Sequence, residues 1–77
     1  MTYTMVGPIG VAHILAGLVA SLAAEFPSIR WSRLLGCVEG AHDHARGFLP
    51  DLSDYASAVA RIARADLAAQ VKVEAWR

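Results

Sequence analysis

From Val6 to Ala24 the chain carries no charged residue, a run of nineteen. A segment of that kind can sit in one of two places: inside a helical bundle, or across the hydrocarbon layer of a membrane, which takes roughly 17–25 residues to span. Arg30 and Arg33 lie just beyond the run, where a span would leave them on the cytoplasmic side. His13 near the middle, Gly10, Gly17, Ser21 and many alanines weigh against lipid. The large residues Val11, Ile14, Leu15, Leu18 and Leu22 share one broad helical face. Ala12, Ala16, Ala20 and Ala24 form a separate row at i, i+4 spacing, which lets a second helix approach closely. A buried helix is the leading expectation and a membrane span the alternative.

The punctuation around the run is local chemistry. Pro8 suits a first helical position, where its missing N–H would have no partner anyway. Phe26-Pro27 ends the helix, because a residue before proline is pushed out of the α region. This places helix 1 at about 8–26. Ser28 is the expected N-cap of helix 2, about 29–46, with Trp31, Leu34, Leu35, Val38, Ala41 or His42, and Ala45 at helical spacing. Gly47 is the expected C′ residue, with Pro50 as the stop. Asp51 caps helix 3, about 52–70, and Asp54 favours the exposed amides of its first turn. Leu52, Tyr55, Val59, Ile62, Ala63 and Leu67 form its apolar stripe, leaving Ala58 on the exposed face. Thr2–Val6 reads as a short strand or extended arm. At the other end Val71, Val73 and Ala75 alternate with Lys72, Glu74 and Trp76, so that end is either a strand or a continuation of helix 3. The fold class is mainly α: one domain of three antiparallel helices joined by short turns, with extended termini as a variant.

A chain of 77 residues buries only about 60% of the surface its unfolded form exposes, so it is marginal by itself. Cys37 is the sole cysteine, so no internal disulfide helps, and a lone thiol in an apolar run points to a reducing, cytoplasmic setting. Hydrophobic residues make up 56% and charged ones 18%, against about 25% charged in an average domain. Few charges are left to cover the surface, and some apolar area is expected to meet another chain or a membrane. Net charge is zero and the charges are scattered. Arg61, Arg64 and Lys72 form the only basic row, too sparse for a nucleic-acid surface. The start lacks a basic n-region, so a secretory signal is not expected.

No residue set supports catalysis. His42 and His44 point roughly 200° apart on a helix and cannot share a metal ion. Glu39 and His42 share a face, but that half-motif needs a second copy and two more carboxylates, as in a site formed across a dimer. Cys37 and His44 are about 10 Å apart along the axis, beyond hydrogen-bond reach. No catalytic, metal or cofactor residue is therefore expected. The residues expected to meet a partner are Trp31, Tyr55 and Trp76, as interface-type aromatics, with Ala16, Ala20, Gly36 and Gly40 as points of close approach. Together these features describe a non-enzymatic helical module that self-associates or docks on a larger protein, as inhibitors, antitoxins, adaptors and assembly factors do. The alternatives are a single-span membrane subunit and a metal-dependent site across a dimer.

Overall fold

The computed structural model describes residues 8–48 and 51–76. Three helices follow one another: α1 (Pro8–Glu25), α2 (Trp31–Ala45) and α3 (Leu52–Ala75), with a 3-10 turn, Arg46–Phe48, between the last two. No strand occurs among the described residues. The possible N-terminal arm at 2–6 lies outside them.

α1 stops where Pro27 requires. Phe26 N–H closes the last turn on Leu22 O at 2.8 Å, and Ile29 N–H then bonds Phe26 O at 3.1 Å. That turn moves the start of α2 from the expected 29 to Trp31. Its N-cap is Arg30, extended at φ −63°, ψ 142° and without a side-chain cap, and not Ser28, which is taken up in the turn. Gly47 does not take the left-handed C′ conformation. Arg46 stays right-handed at φ −63°, ψ −13° and the chain tightens into the 3-10 turn instead.

α3 begins as its sequence requires. The Asp51 carboxylate accepts from Ser53 N–H at 3.0 Å and Asp54 N–H at 3.2 Å, satisfying two donors that the first turn leaves free. It runs on to Ala75, well past the expected 70. The alternation from Val71 to Ala75 does not become a strand. A helix supplies its own hydrogen-bond partners, whereas a strand there has no described edge to pair with.

The buried core takes Leu18 and Leu22 from α1, Leu34, Cys37 and Val38 from α2, and Tyr55, Val59 and Leu67 from α3. Ala41, Ala45, Ala58 and Ala63 join them, each at most 1% exposed. These alanines lie on α2 and α3, which form the most extensive helix pair. The close approach expected along the α1 alanine row is therefore found at α2–α3. Ala16 and Ala20 are exposed, while Ala58, expected outside, is buried. Ala58 stands one turn from Tyr55 and shares its face.

Ion pairs and contacts give the directions. Arg64 Nε binds Glu25 at 2.9 Å, and Gly10 lies beside Leu52, so α1 runs alongside the first half of α3. Arg33 meets Glu74 at 3.2 Å and Gln70 meets Cys37, so α2 runs antiparallel to the second half. Past Leu67 no residue of α3 is buried. Among the described residues no helix is long and apolar enough to cross a membrane, which leaves the single-span alternative without a span there.

Candidate functional site

A groove of about 930 Å³ runs between α1 and α2. Leu15, Ala16 and, one turn on, Val19 form the α1 side, and Ser32, Leu35, Gly36, Val38, Glu39 and His42 form the α2 side. Leu34 and Leu35 are adjacent on a helix, 100° apart, and the core takes only the first. Leu34 is 1% exposed and belongs to the core, whereas Leu35 is 41% exposed and faces the groove. A Cβ at Gly36 would meet nothing within 4 Å, so the groove is open over that residue. Glu39 is the single carboxylate of the lining.

His42 closes one end. Its Nδ1 and the Tyr55 hydroxyl share a hydrogen bond of 2.8 Å, and the rings meet edge to face with centroids 5.8 Å apart. Tyr55 has no exposure, and burial pushes its phenol above the usual value. Tyr55 is thus a core residue and not, as expected, one that meets a partner. Its ring fills the interior while its hydroxyl finds a partner in His42.

The Gly-x-x-x-Gly pair is split. Gly36 opens onto the groove, whereas Gly40 borders a separate depression with Asp43, His44, Ile62 and Asp66. His42 and His44 accordingly serve different surfaces. No group of three or more His, Cys, Asp or Glu side chains is placed to hold a metal ion among the described residues. Cys37 is buried, and Gln70 Nε2 donates to its Sγ at 2.9 Å. Burial, with the Asp66 carboxylate adding to it, pushes the thiol up to about 11. It is a neutral thiol at neutral pH, without the thiolate that nucleophilic chemistry needs.

Of the other expected partner residues, Trp31 is 57% and Trp76 86% exposed, Ala16 lines the groove, and Ala20 lies on the outer side of α1. Sequence reasoning missed Leu35 and Val73 as surface hydrophobics. The adjacent pair Leu34-Leu35 was the one available signal. Comparison of the chain with protein-family models, curated proteins and solved structures gives no match.

Proposed function

We propose that this chain is a small, non-enzymatic helical interaction module of the cytoplasm that works by associating with a second copy of itself. The observation that carries it is the apolar groove between α1 and α2, with Leu35 left 41% exposed beside a core in which Leu22, Leu34 and Tyr55 are almost wholly buried. Ile9, Trp31, Phe48, Val73 and Trp76 add exposed apolar area elsewhere. An apolar groove of this kind is a surface that association with a second chain would cover. Association is also one of the ways so small a domain adds to the stability of a limited core.

Light scattering on a size-exclusion column at micromolar concentration tests this. The expected mass is at least twice the 8.2 kDa of one chain. A monodisperse 8.2 kDa species that unfolds cooperatively well above room temperature overturns it.

A further inference from the structure

Resting on that self-association, we infer that the occupant of the α1–α2 groove is the C-terminal end of α3 from a second copy, seated head to tail. α3 continues beyond Leu67, its last buried residue, to Ala75. Ala69, Val73 and Trp76 stand there at i, i+4 and i+7, the spacing with which a helix lays an apolar stripe into a groove. Val73 is 57% and Trp76 86% exposed, so the stripe is uncovered in its own chain. The groove complements it in size. Ala16 and Gly36 leave room for an indole between Leu15, Val19 and Leu35.

The stripe does not reach the groove of its own chain. The Arg33–Glu74 pair holds the end of α3 beside the first turn of α2, while the groove lies on the α1 side of that helix. Charge selects the same partner. Lys72 flanks the stripe and Glu39 lines the groove, and neither has an ion pair among the described residues. The acid beside Val73, Glu74, is taken by Arg33. Copies of a chain with zero net charge do not repel one another. Donor and acceptor are different surfaces, so the contact is heterologous. It closes when each copy both gives and receives, and otherwise extends.

Two full-chain variants test the arrangement. Trp76→Ala removes the donor, and Gly36→Arg obstructs the acceptor at a position where an added Cβ meets no neighbour within 4 Å. Ala16→Arg is a second acceptor variant, and thermal melts confirm that each folds. By light scattering each variant alone assembles more weakly than wild type by about tenfold or more. Mixed in equal amounts, Trp76→Ala and Gly36→Arg form a species of twice the chain mass, because one still has the groove and the other still has the stripe. Lys72→Glu alone weakens assembly, and Glu39→Lys in the same chain restores it. Wild-type assembly by Trp76→Ala or by both acceptor variants overturns the head-to-tail contact and leaves the module standing. Failure of the mixture to recombine points to a like-with-like interface, such as α1 against α1, and also overturns it. A wild-type chain that stays monomeric removes both proposals.

Discussion

His42 gives the buried Tyr55 hydroxyl its partner, and the two ends of that bond are not equivalent. Tyr55→Phe removes the hydroxyl together with its need for a partner, and costs about 0.5–1.5 kcal/mol. His42→Ala leaves the hydroxyl buried and alone, and costs about 1–3 kcal/mol. His44→Ala, on an exposed site, stays within about 0.5 kcal/mol of wild type. Urea unfolding of the three variants gives that order, and a histidine change milder than the tyrosine one contradicts it. Cys37 makes stability depend on alkaline pH. Its thiol ionises at 9.0 in the unfolded chain and about 11 in the fold, so the unfolded chain loses the proton first. The contribution is complete below pH 9.0 and lost as pH rises through about 11. At most it amounts to about 2–3 kcal/mol. Tyr55, also raised, acts in the same direction. Urea midpoints at about pH 8 and about pH 11 should therefore fall further for wild type than for Cys37→Ala; equal falls would exclude the thiol.

At the scale of the helices, alanine decides where one approaches another. Ala58→Leu pushes into the buried core and costs about 1–3 kcal/mol by overpacking. Ala16→Leu and Ala20→Leu, on exposed sites, stay within about 0.5 kcal/mol in the single chain. Thermal denaturation at a concentration too low for assembly reads the contrast, and similar losses at all three positions would contradict the packing described. The opposite pattern follows from the sequence, where the alanine row of α1 is the more regular one. Alanine carries almost no burial signal, being tolerated on either face, so its neighbours decide. Features that depend on one local interaction were legible: the break at Pro27 and the Asp51 cap. The start of α2 was not, because the turn after Phe26 competes with the Ser28 cap. Nor was the length of α3, because five alternating residues fit a strand as well as the end of a helix. The exposure of Trp76 was only half legible, because a tryptophan beside Arg77 fits a docking residue and a cover over its own core alike. The burial of Tyr55 was not, because the signal that marked it, an aromatic with a polar tip, serves cores and surfaces alike.

At the scale of the whole molecule, α1 lies along only the first half of α3. The second half of α3 has α2 on one side and no described neighbour on the other, held there by Gln70 on Cys37 and Arg33 on Glu74. Both members of the Arg33–Glu74 pair are about half exposed, at 46% and 53%, so the pair adds little. In terms of amide hydrogen exchange, the chain then keeps two clocks. Protons on the backbone of Leu22, Leu34 and Val59 leave only when the whole bundle opens, whereas those from Ala69 to Trp76 leave whenever the last turns of α3 fray. Raising the protein concentration should slow the second clock far more than the first, because a docked end no longer frays freely. Deuterium uptake by peptides from the two regions, followed from dilute to concentrated protein, separates them. In the proposed head-to-tail contact, the end of α3 that is least anchored in one chain becomes the part whose order reports a second chain.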